Sequence, residues 1–221
     1  MRSPLSVEQI QQQIRAGIAS VASSHGYRAA KSSRDGWVKE CCDGVLQVIA
    51  LTWVMRLSAL HVIASLRFAY HAVQAEKLYA RFARQRDSGY RYAEDLPSFG
   101  ARAAELLPPG QPVEWYFPRS GFPQGALDEM RSVVETCGLS FLDRLHSPES
   151  VLAAMHADHA AKHAQQVGAK IRLSCFEFQY GDKNAAIAMV NGALASLGSG
   201  PIEEERRVMA QQLLAHYNGA R

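Results

Sequence analysis

The sequence predicts an α+β protein: an antiparallel sheet of three or four strands backed by an N-terminal helix, then a mostly helical C-terminal half. Three observations carry this. Residues 60–70 alternate, with Leu60, Val62, Ala64, Leu66, Phe68 and Tyr70 on one side and His61, Ser65, Arg67 and His71 largely on the other. That period of two belongs to a strand with one face on a core and one towards water. Residues 45–53 are apolar on both sides through Leu46, Val48, Ile49, Ala50 and Leu51, as in a strand covered twice. From residue 119 onward the apolar spacing is helical throughout.

The first helix is marked at its start. Ser6 is placed to cap it, Gln9 completes a capping box, and Leu5 and Ile10 take the staple positions. Val7, Ile10, Ile14, Gly17, Ile18 and Val21 follow as one stripe, and Gly26 provides a stop. Tyr27–Lys31 offers an edge strand. Asp35-Gly36 and Asp43-Gly44 are the pairs that tight hairpins prefer, and they bracket a strand at Trp37–Cys42.

Ala72–Gln85 returns to helical spacing through Ala75, Tyr79 and Phe82, and Arg86–Asp95 has the composition of a loop. Ser98–Leu107 is expected to hold a short helix, stopped at Pro108-Pro109-Gly110. Gln111–Pro118 carries Val113, Trp115, Tyr116 and Phe117 between prolines, the pattern of an edge strand or a docking segment. Beyond it, Gln124–Cys137 and the helix opened by Ser147-Pro148-Glu149 are followed by a helical hairpin, Ala169–Tyr180 and Lys183–Leu197, joined through Gly181-Asp182. Ile202–Tyr217 closes the series. We therefore expect a helix-plus-sheet lobe over 1–118 and a helical lobe over 119–221, packed as one unit.

The composition sets bounds on function. Net charge is +3, from 24 basic and 21 acidic residues in mixed order, so the clustered cations of a nucleic-acid surface are missing. Four cysteines include no Cys-x-x-Cys pair, which removes the usual thiol spacing for zinc. Met1–Ile10 lacks the apolar run of a secretory signal. The most hydrophobic window is broken by Arg56, His61 and Arg67, unlike a membrane helix. A cytoplasmic location follows as the expectation. No nucleophile elbow, phosphate loop or dinucleotide fingerprint occurs, and no cofactor is expected.

Three constellations remain. His156, His159 and His163 are spaced three and four apart, so that imidazoles of one helix share a face; this is the ligand set that a small metal-dependent hydrolase would use. Arg67, Arg81 and Arg84 lie among aromatic residues, a combination that nucleic-acid sites employ. Trp115 and Tyr116, with Arg67, form the third set, aromatic and arginine anchors of the kind that dominate protein interfaces.

The order of elements also resembles a group of uncharacterised bacterial α+β domains of unknown function. The likeness runs through Gly26-Tyr27, Trp37–Lys39, Gly44–Leu51 and Leu60–Tyr70, and later through Trp115, Phe141-Leu142-Asp143-Arg144-Leu145 and Ser147. Some members resemble immunity proteins or other accessory binding proteins. The resemblance implies a non-catalytic role with another protein as the partner, and this is the leading expectation. The histidine-based hydrolase is the alternative.

Overall fold

The computed structural model describes residues 4–31, 33–54, 60–83, 98–111 and 114–219. The expected loop at Arg86–Asp95, most of the Val54–Ala59 link, Val113, and Arg56, Arg84 and Arg86 lie outside the described residues. In chain order the elements begin α1 (Val7–Ser24), β1 (Arg28–Ala29), β2 (Gly36–Cys42), β3 (Val45–Val54), β4 (His61–Ala72) and α2 (Val73–Ala83). They continue with β5 (Phe99–Arg102), α3 (Ala103–Leu106), β6 (Trp115–Pro118), α4 (Gln124–Val133), a π-helical turn (Val134–Gly138) and α5 (Leu139–Leu142). Then come α6 (Pro148–Asp158), a second π turn (His159–His163), α7 (Val167–Tyr180), α8 (Lys183–Ala195) and α9 (Pro201–Gly219). The fold is α+β with an antiparallel sheet and a helical C-terminal half, as the sequence predicts.

The described residues group into two compact units. One draws on Met1–Cys41, Leu46–His71 and Ala93–Leu145, and the other on Cys42–Val45, Ala72–Tyr92 and His146–Arg221. The helices from 124 to 142 therefore belong with the sheet.

In the sheet unit, the capping box of α1 forms: the Ser6 hydroxyl accepts from the Gln9 N–H, and the Gln9 side chain accepts from the Ser6 N–H. Ile10, Ile14 and Ile18 are fully buried, each contributing roughly 1.5–3 kcal/mol. Gly17 lets α4 approach, since a Cβ there would lie 2.7 Å from Leu127. Gly26 ends the helix in the left-handed region, at φ 82°.

Among the described residues six strands form the sheet, in the order β1-β2-β3-β4-β5, with β6 also paired to β4. β4 is twelve residues long, which gives one of its edges room for two partners. Arg67–Tyr70 pair with β5 and His61–Ala64 with β6, both antiparallel. Gly44 turns between β2 and β3 at φ 69°, as its Asp-Gly pair predicts. The other Asp-Gly pair does something different. Gly36 opens β2, and Asp35 instead accepts from the Arg15 side chain at 2.6 Å and, through its carbonyl, from Leu51 N–H.

Three local expectations are corrected. Residues 98–107 form β5 and a single turn, α3, in place of one helix. Phe99 and Ala101 alternate with Gly100 and Arg102, and pairing to the open edge of β4 overrides helix propensity. Leu60 is 69% exposed, because β4 begins one residue after it. His71, expected to face water, is buried, so the far end of β4 is covered on both sides.

The helices α4 and α5 lie on the face presented by Phe68 and Tyr70. The π turn before α5 brings Gly138 directly against the Phe68 ring, where an added Cβ would overlap the ring carbons. Gly138 has helical dihedrals (φ −66°, ψ −51°), so alanine would otherwise favour the helix by about 1 kcal/mol. We expect Gly138→Ala to destabilise by about 1–3 kcal/mol through overpacking. Combining it with Phe68→Leu should recover part of that loss, a coupling that urea denaturation of the two single variants and the double variant reads directly.

Candidate functional site

The pairing register decides which side chains share a surface. Tyr116 is opposite Ile63 and Trp115 opposite Ala64, so adjacent residues of β6 project to opposite faces. Trp115 and Phe117 point into the core beside Val62 and Ala64; Trp115 is 2% exposed, whereas Tyr116 is 48% exposed. Arg67 is opposite Arg102. Ile63 and Arg67 are four residues apart on β4, hence on one face and separated by about 13 Å. Arg67 and Tyr116 thus occupy the same side of the sheet, and Trp115 is turned away from them.

The face is partly covered, since Ile63 and Ala69 are buried. Its open portion carries Tyr116, the exposed Arg102, the half-buried Arg67 and Ser65. The Tyr116 hydroxyl donates to Glu114 Oε2 at 3.2 Å, which places one carboxylate at the aromatic end. At the other end two arginines, Arg67 and Arg102, stand directly opposite each other in the strand register. The strands approach closely there: a Cβ on Gly100 would lie 2.6 Å from that of Ala69. The Arg102 backbone N–H is accepted by Glu105 Oε1 at 3.5 Å. Arg102 was absent from the sequence-derived set because 98–107 reads as a helix; the Phe-Gly-Ala-Arg alternation is the signal that marks it.

Beneath this face a neutral network holds the sheet to α5. The Tyr27 hydroxyl donates to Gln47 Oε1 at 2.8 Å, and Gln47 Nε2 donates to the Leu142 carbonyl at 2.6 Å. Tyr70 donates to the same carbonyl at 2.6 Å and to that of Phe141 at 3.0 Å. Its ring stacks on Phe99 and tilts against Phe141. Burial holds both phenols well above their ordinary range, with the Asp143 charge a further cause.

In the helical unit, α6 starts as its sequence predicts, with the Ser147 hydroxyl accepting from Ser150 N–H and Pro148 in the first turn. Two of the three histidines, His156 and His163, meet different carboxylates. His156 Nε2 lies 2.5 Å from Glu177 Oε2, and the other oxygen of Glu177 accepts from Asp182 N–H at 3.0 Å. His163 Nε2 is 3.9 Å from Asp158, whose other oxygen is 2.9 Å from Lys162 Nζ. Burial, then His163, His156 and Lys170, pushes the His159 imidazole below its ordinary value. The shared face expected from α-helical spacing is altered because His159–His163 is π-helical. Among the described residues, no three His, Cys, Asp or Glu side chains are grouped to hold a metal ion.

Cys175 is buried beside Ser174 and Tyr217, whose hydroxyl donates to its Sγ at 3.5 Å. Burial pushes this thiol up to about 12, which removes it as a nucleophile near neutral pH. Cys41, Cys42 and Cys137 are half-buried. No helix among the described residues is long and apolar enough to cross a membrane.

Two measurements check these environments. With a thiol-specific chromogenic reagent at pH 8, Cys175 should stay protected in the folded protein and react only in denaturant. The buried phenols have folded pKa values above their unfolded ones, so their stabilising contribution is complete below about pH 10 and declines as pH rises through that region and beyond. The urea midpoint should fall from pH 9 to pH 11, and less steeply in Tyr70→Phe than in the parent. Compared with protein-family models, curated proteins and solved structures, the chain matches none.

Proposed function

We propose that this chain is a non-catalytic protein-binding protein, an immunity or accessory factor that meets its partner with the sheet face bearing Tyr116. The observation that carries this reading is an aromatic side chain, 48% exposed, set in a hydrogen-bonded strand on the same face as two arginines. Tyrosine and arginine are the residues most often responsible for interface energy. A tyrosine on a strand also loses little conformational freedom on binding. Phe117 and Trp115 anchor the strand from behind, so Tyr116 is presented on a rigid support. The charged groups at both ends of the patch supply orientation and encounter rate.

Photo-crosslinking tests the reading. A photoreactive benzoylphenylalanine at position 116 should form a discrete adduct in extract of the native cell. The same group at exposed Glu8 of α1 should give none. Absence of an adduct at position 116, or identical products from both positions, would rule the proposal out.

A further inference from the structure

We infer that His216 is an acid-operated latch, whose protonation frees the C-terminal turns of α9 from α2 and α7. The inference is independent of the sheet face above and concerns the helical unit alone. The half-buried His216 imidazole stands among rings from three helices. Its centroid is 5.7 Å from that of Phe82 on α2 and 5.6 Å from that of Phe178 on α7, with interplanar angles of 55° and 53°. Its neighbour Tyr217 is fully buried and stacks on Phe178 at 4.3 Å. A neutral imidazole packs there as one more tilted ring.

A charged imidazolium is less well served. From α2 the facing charge is Arg81, whose guanidinium lies 5.7 Å from the Phe82 centroid; Glu76 of the same helix is committed to Arg172. From α7 comes Phe178, and from α9 itself Tyr217. The Tyr217 hydroxyl meets Ser174 at 3.1 Å and Cys175 at 3.5 Å, and burial keeps both the phenol and the thiol neutral near pH 7. Attraction to the ring faces offsets part of the cost of a buried cation, but Arg81 already competes for Phe82. Burial, then Arg81, holds the imidazole below its ordinary value. The folded chain therefore binds this proton more weakly than the unfolded one. The stabilisation is complete above the ordinary imidazole value of about 6.5 and is lost as pH falls through the folded value. Freed turns of α9 uncover Tyr217 and Phe178.

Hydrogen exchange on the full chain, corrected for the pH dependence of intrinsic exchange, reads the latch. Amides of residues 209–217 should lose at least about threefold in protection between about pH 7.5 and about pH 5. His216→Phe keeps a ring and removes the charge, and should abolish that loss. The His216 Cε1–H resonance should titrate at lower pH in the folded chain than in urea, and Arg81→Gln should move the folded midpoint upward. The inference is overturned if protection over 209–217 is unchanged in acid, or if the loss survives in His216→Phe and so belongs to another group. A folded midpoint equal to or above the unfolded one overturns it as well, and that titration of the parent decides the matter even where His216→Phe fails to fold.

Discussion

One carbonyl oxygen organises the sheet unit. Leu142 ends α5, where helix geometry leaves carbonyls without an internal partner, and its oxygen accepts from both Gln47 and Tyr70. These donors come from β3 and β4, so the bond pair pins the helix end across two strands at once. Leaving such a group buried and unsatisfied costs about 1–3 kcal/mol. Tyr27 then orients Gln47 by donating to its oxygen, leaving the amide nitrogen to face Leu142. Because Tyr70 is committed to the helix side, Phe68 and Leu66 in the core follow from strand alternation, and so does the outward side of Arg67.

The helical unit is held by different means. Glu76 is buried on α2 and meets the Arg172 guanidinium from α7, with Nε 3.0 Å from Oε1. Arg172 also lies over the Tyr79 ring at 5.8 Å. Such a pair contributes little relative to an apolar replacement, but loss of one partner strands a buried charge. Its effect is therefore to specify how α2 and α7 meet. The His156–Glu177 contact does the same for α6 and the turn after α7, which gives one of the three histidines a packing role.

The candidate face is set by strand register. Ion pairs join Arg15 with Asp35, Lys162 with Asp158 and Arg172 with Glu76. At the β4–β5 pairing two arginines stand opposite one another on a strand pair that a glycine allows to approach closely.

Several features were legible from residue order alone. The capping box at Ser6 and Gln9, the Gly26 stop, the hairpin at Gly44, the proline start of α6 and the hairpin of α7 and α8 depend on neighbours a few positions away. So does the split of Trp115 and Tyr116 to opposite sides, since a strand alternates wherever it lies. What pairs with what was not legible. A twelve-residue strand offers an edge that several segments could fill, and only the assembled sheet places Phe99–Arg102 there, turning an expected helix into β5 and setting Arg102 against Arg67. The burial of His71 has the same origin. Local spacing determines which faces a segment has, and long-range packing decides which of them meets protein and which meets water.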